Sequence, residues 1–291
     1  MKKAILWTIG ILLLLISLGL ISYPFISSYL MSLNSESAVM SYLDSAEKLS
    51  DDKQSEMLNA ARKYNESLIG SVSVGDPFAS SEDLADDYNS LLSIDGSPVM
   101  ASIEIPSINV NLAIYHGTND DILQKGVGHL PSSSLPVGGK STHAVLTGHS
   151  GLSSQKMFSD IASLEKGDRF YIHVLGETLA YEVSEINTVL PSDTEKLQIV
   201  PDEDLVTLVT CTPFGINSHR LLVTGKRVPY TEGEEKSTLN AQKRDSAWGN
   251  EYINALILGF IVMAAILTVF GLVKLVLYIC RKRKANGKKN P

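Results

Sequence analysis

The sequence predicts a mainly-β domain of about eight short strands, with a helical region in front of it and a membrane helix on each flank. Three observations lead there. Between 100 and 230, short runs rich in Val, Ile, Tyr and Thr recur, cut by Pro and Gly. Between 30 and 69, apolar residues fall at helical spacing in an otherwise polar stretch. Two 19-residue runs, 4–22 and 255–273, carry no charge at all. At about 1.5 Å per residue each makes roughly 28 Å of helix, enough to cross a bilayer core.

In chain order, the first run and its basic start (Lys2, Lys3) make an N-terminal anchor over 1–25. It has the outline of a signal peptide, but the SYPFISSY segment offers no A-x-A-like cleavage site, so an uncleaved anchor is expected. The helical region, 26–69, shows Val39, Leu43, Ala46 and Leu49, then Met57, Ala60, Tyr64 and Leu68, with a break near Ser50-Asp51-Asp52. Residues 70–98 are rich in Gly, Ser, Asp and Pro, an irregular segment whose length suits a linker or a lid.

Strand-like runs follow at 102–105, 110–115, 144–147, 169–174, 179–190, 206–210 and 221–228, with short helical pieces at 120–124 and 154–164. Seven or eight strands within 99–230 make a closed barrel or a sandwich. A polar stalk, 231–253, leads to the second span, 254–279, and to a basic tail, 280–291.

Charge sets the topology. Basic residues flank both outer ends, which puts both termini in the cytoplasm and the middle of the chain outside. All 32 acidic residues lie between 23 and 253 with only 16 of the 25 bases, so the outer part carries a net charge of −16. That balance and the overall −7 argue against nucleic acid as a partner, leaving the lipid bilayer and other proteins. With 44% apolar and 20% charged residues, the chain is neither disordered nor collagen-like, and two cysteines exclude a disulfide scaffold.

Cys280 falls at the inner membrane edge, so Cys211 is the one thiol outside and has no internal partner there. Such a cysteine is either a buried small hydrophobe or a reactive thiol. Its neighbours point to reactivity. Cys211 closes the run TLVTC, and Arg220 follows nine residues later, after a turn built from Pro213, Gly215 and Asn217. The returning strand can therefore carry Arg220 back beside Cys211. His149 ends another strand-like run, AVLTGH. A thiol nucleophile, a proton-exchanging histidine and a cation for an oxyanion are what acyl transfer by cysteine needs.

These segments resemble the sortases. TLVTC matches the T-L-x-T-C motif, Arg220 falls at the position of the sortase arginine, and AVLTGHSG is similar to the histidine segment. CTPFGINSHRLLVTGKR and GHLPSSSLPVGG resemble class C, the pilin-polymerising sortases, and a C-terminal span fits that class.

The resemblance implies a closed sortase-type β-barrel. It also implies that Cys211 attacks the Thr–Gly carbonyl of an LPXTG-like signal, that His149 exchanges protons, and that Arg220 binds substrate and stabilises the oxyanion. The implied partners are pilins or surface proteins with LPXTG-like C-terminal signals, and an acceptor pilin lysine. Alternatives are a sortase that uses a cell-wall precursor amine, a cysteine hydrolase, and a non-enzymatic anchored surface protein.

Asp76-Pro77-Phe78 resembles the D-P-aromatic lid of class C, which implies a ring over Cys211 and a carboxylate paired with Arg220. Thr147 and Thr210 are expected to line the substrate cleft. The remaining histidines read as structural: His219 alternates to the face opposite Arg220, and His129 sits in a turn-building Gly-rich loop. No pair has metal-ligand spacing, so neither a metal nor another cofactor is expected.

Overall fold

The computed structural model describes residues 2–70, 76, 78, 86–150, 156–231 and 247–286. Pro77, most of the stalk and the last five residues of the basic tail lie outside the described residues. The chain forms two units, Met1–Arg244 and Asp245–Pro291.

The first unit opens on α1 (Lys2–Glu47), a helix of 46 residues. The apolar run and the first amphipathic helix, expected as separate elements, are one continuous rod with Pro24 inside it. Nothing between Leu20 and Glu47 except that proline interrupts helical geometry, and the Ser22 and Ser32 hydroxyls bond back to carbonyls of the preceding turn. From Gly10 onward α1 is long and apolar enough to cross a membrane.

Its last turns turn a face to the barrel, burying Val39, Tyr42 and Ala46. The Tyr42 hydroxyl donates to the Met100 carbonyl at 2.8 Å and accepts the Leu175 amide at 3.1 Å. Val39 and Ala46 are buried as expected, whereas Tyr42 takes the buried place expected for Leu43, which is exposed. A buried hydroxyl with two partners outweighs a leucine's simpler apolar fit.

Helix α2 (Asp51–Leu68) starts where the break was expected. The Ser50 side chain accepts the Lys53 amide, and Asp51 and Asp52 sit in the first turn, favoured by the positive end of the helix. Leu58, Ala61, Asn65 and Leu68 are its buried residues, with Met57 and Tyr64 packed partly buried beside them; of the expected positions, Ala60 is exposed and Ala61 buried in its place. A short helix, α3 (Asp86–Ser90), lies within the stretch 70–98 expected to be irregular.

The remainder of this unit is a closed barrel of eight strands: β1 (Val99–Ile105), β2 (Val110–His116), β3 (Val127–His129), β4 (Thr142–Thr147), β5 (Arg169–Val174), β6 (Glu177–Val189), β7 (Asp204–Thr212) and β8 (His219–Val228). Around the barrel they run β1-β2-β3-β4-β7-β8-β6-β5. Two pairs are parallel, β2 with β3 and β4 with β7, and the others are antiparallel. Closure leaves no free edge.

Strand β3 was not among the expected runs. It has three residues within GVGHLP, too few for alternation to show, and one of them is a glycine. Gly128 is required there: a Cβ on it would fall 2.4 Å from the Gly117 carbonyl oxygen. Between β2 and β3, Asn119 caps the short helix α4 (Asp120–Leu123). The expected helical piece at 154–164 is a 3₁₀ turn, Ser159–Ser163, preceded by residues outside those described.

The second unit is helix α5 (Ala247–Asn286), whose apolar stretch Ile253–Ala265 is shorter than a full span among the described residues.

Candidate active site

The site is built at the end of the parallel pair β4–β7 and the hairpin β7–β8. In the hairpin register Cys211 stands directly opposite Arg220. The six residues between β7 and β8 turn the chain through Pro213 and through Gly215 and Asn217, both at positive φ. An Arg220 Nη1 hydrogen points at the Cys211 Sγ across 3.5 Å. His149 follows β4, and its neighbour Gly148 is held to β7 by an amide bond to the Val209 carbonyl. A Cβ on Gly148 would meet the Phe158 ring at 2.7 Å, so the histidine turn packs onto that ring only with glycine there.

The third component comes from 144 residues upstream of Arg220. Asp76 receives Arg220 with both oxygens, Oδ1 from Nε at 3.0 Å and Oδ2 from Nη2 at 2.9 Å. The pair is largely enclosed, with Arg220 12% and Asp76 21% exposed in their side chains. The Phe78 amide donates to Asp76 Oδ1, folding the segment back on itself. The Phe78 ring then lies 4.8 Å from the Arg220 guanidinium and 5.9 Å from the His149 ring, and packs against the small apolar cluster of Leu130, Val145, Leu197, Val209 and Leu222. One aromatic side chain thus lies against both the arginine and the histidine.

This cover has an electrostatic effect. Burial pushes the Cys211 thiol up, Arg220 works against it, and the Asp76 carboxylate adds to the upward push. Burial also pulls the His149 imidazole down, with the Asp120 carboxylate opposing. Both shifts favour the neutral thiol and neutral imidazole over an ion pair while Asp76 occupies the guanidinium.

Thr147 and Thr210, expected to line the cleft, are buried beneath it. The Thr210 hydroxyl donates to the Gly148 carbonyl at 2.7 Å. Ser150, which sequence reasoning passed over, donates its hydroxyl to the Cys211 carbonyl. Its one visible signal was adjacency to His149. Asp120 was equally hidden, because only the fold brings α4 near the histidine.

The sortase domain pattern matches residues 103–228. Sortase A of Bacillus anthracis is 30% identical over 229 residues, which are 78% of this chain and 96% of that protein.

The chain belongs to the sortase family.

Its solved neighbours place this sortase in class C. Sortase C-1 from Actinomyces oris is 52% identical, with a TM-score of 0.58 over 61% of this chain and 99% of that one. Sortase C of Streptococcus pneumoniae is 41% identical, with a TM-score of 0.64 over 67% of this chain and 98% of that one. Sortase C1 of GBS Pilus Island 1 is 41% identical, with a TM-score of 0.63 over 68% and 94%. Sortases are cysteine transpeptidases, and this sortase is an enzyme of that type.

Proposed function

We propose that this sortase polymerises pilins at the outer face of the plasma membrane. The observation that carries the reading is the hairpin pair Cys211–Arg220, with the guanidinium 3.5 Å from the sulfur and His149 under the same aromatic cover. Once the cover leaves, Arg220 is free of Asp76, and a thiolate beside it is stabilised.

Cys211 Sγ attacks the carbonyl carbon between Thr and Gly of an LPXTG-like signal, and the resulting oxyanion is stabilised by Arg220. Protonated His149 gives its proton to the departing glycine amine, the C–N bond breaks, and a thioester on Cys211 remains. The amine of a pilin lysine then attacks the thioester and yields its proton to His149. The thiolate leaves, and an isopeptide bond joins the subunits. Protons balance across the two halves, and water is neither consumed nor released.

In this reading Asp76, Pro77 and Phe78 form a lid that holds the enzyme inactive. The anchor at 1–25 and the span at 254–279 suspend the 99–230 barrel outside, with both termini cytoplasmic. The continuous apolar α1 supports the first anchor, and the basic flanks support the orientation. The class C neighbours support the pilin substrate.

Coexpression with surface proteins bearing LPXTG-like tails tests the proposal. Covalent ladders are expected with the wild-type enzyme and none with Cys211→Ala. Ladders that persist in that variant refute the mechanism, and a single wall-linked product in place of ladders assigns the acceptor to a cell-wall amine.

A further inference from the structure

Strands β4 and β7 run parallel, and their register pairs Thr142 with Asp204 through to Thr147 with Val209. His149 and Cys211 each stand two residues past that last pair, where the regular ladder no longer holds them. Three other hydrogen bonds join the chains there. The Gly148 amide donates to the Val209 carbonyl at 3.0 Å, the Thr210 hydroxyl to the Gly148 carbonyl at 2.7 Å, and the Ser150 hydroxyl to the Cys211 carbonyl. His149 is thereby bracketed by two residues tied to β7, and its own carbonyl accepts the Phe158 amide at 3.1 Å. Of these bonds, the one from Ser150 reaches the residue that carries the thiol.

We infer that Ser150 is a positioning residue, setting the Cys211 thiol against the His149 imidazole by fixing the Cys211 carbonyl. The inference rests on the reading of Cys211 and His149 as nucleophile and acid/base. The physical reason is local. The direction of the Cys211 carbonyl defines the plane of the Cys211–Thr212 peptide, and with it the angle at which the Cys211 side chain stands. On its other side Cys211 is paired with Arg220 across the hairpin. Removing the Ser150 donor frees one of two constraints and takes that partner from the Cys211 carbonyl.

A displacement on the order of 1 Å at a reacting atom is enough to lower a rate by up to about 100-fold. The bond identified here involves the Cys211 carbonyl and not its thiol, so the loss falls on turnover and not on binding.

The test uses full-length, detergent-solubilised enzyme with a fluorogenic Leu-Pro-Ala-Thr-Gly peptide and an added primary amine. In parallel, iodoacetamide alkylation of Cys211 is followed from pH 5 to 9 by mass spectrometry. Ser150→Ala is expected to lower kcat about tenfold with KM unchanged within about twofold. Its alkylation profile is displaced in pH, and Ser150→Thr, which keeps the hydroxyl, restores both.

Wild-type kcat and an unshifted profile in Ser150→Ala overturn the inference. So does a Ser150→Thr variant as impaired as the alanine, or a loss that disappears when rates are expressed per titrated thiol. Comparison of wild type with Cys211→Ala on the same peptide judges the underlying reading separately. The alkylation arm still judges Ser150 if that reading fails.

Discussion

His129 ends β3 and His149 follows the neighbouring β4, and the barrel treats them in opposite ways. His129 is fully buried with both ring nitrogens engaged. The Ser134 carbonyl, 2.8 Å from Nε2, can only accept, so Nε2 carries the proton and Nδ1 accepts the Tyr88 hydroxyl at 2.8 Å. The Tyr88 oxygen in turn accepts the Gly117 amide, while its ring stacks on His129 and meets His116 edge-on. Around this centre Asn65 of α2 makes two bonds to the Leu135 backbone. His149 is only partly buried, and its ring lies against Phe78, which also meets the Arg220 guanidinium and a small apolar cluster, while Asp76 is ion-paired with Arg220.

One wall of the barrel is bolted by matched hydrogen bonds, and at the other lie the Asp76 and Phe78 contacts that the proposed function treats as a removable lid.

The largest expected effect is at the removable wall. Asp76→Asn takes away a charge that raises the Cys211 pKa and releases Arg220, so the thiol titrates lower. Phe78→Ala uncovers it. Iodoacetamide labelling of Cys211 at pH 7 is expected to accelerate on the order of tenfold in either variant. An unchanged rate in both removes the contrast between the walls.

At the bolted wall the readout is acid stability. Burial pushes the His129 pKa down to about 3, whereas an unfolded histidine titrates near 6.5. Below that value the unfolded chain binds a proton that the native state refuses, so stability is lost as pH falls from 6.5 toward 3. Between pH 6.5 and 5 this one residue contributes a loss of about 2 kcal/mol. Denaturant titrations at pH 7 and pH 5 measure it, and His129→Gln is expected to flatten the difference; an equal slope in the variant would sink the assignment.

Tyr88→Phe is the smaller test. It strips a partner from His129 Nδ1 and the Gly117 amide, and is expected to cost about 1–2 kcal/mol. Cys211 labelling in Tyr88→Phe should stay within about twofold of wild type. If it accelerates as much as in Phe78→Ala, the two walls act as one.

Much of this was legible in advance because the signals were local. TLVTC, the turn after it and Arg220 lie within 14 residues, and a hairpin of that length brings its strands together with little choice. The break at Ser50 was legible because a cap and two acids announce it. Strand β3 was not, since three residues with a glycine in the middle have no readable period. The burial stripes of α1 and α2 were met at Val39, Ala46 and Leu68 but missed Tyr42 and Asn65, which are buried for the bonds they make and not for their hydrophobicity. His129 was read as a turn builder, whereas its partners come from positions 88 and 134 and only the folded barrel assembles them.

By itself, then, the sequence determined the apolar N-terminal helix, the strand-rich barrel, the thiol and the arginine opposite it, all of them set by composition or by spacing over a few residues. The tertiary structure alone decided what surrounds the thiol. It closed eight strands so that β4 met β7 in parallel, brought Asp76 onto Arg220 from 144 residues away, and turned Ser150 toward the Cys211 carbonyl. Such contacts depend on chain closure over long separations, for which no local pattern of residues carries a signal.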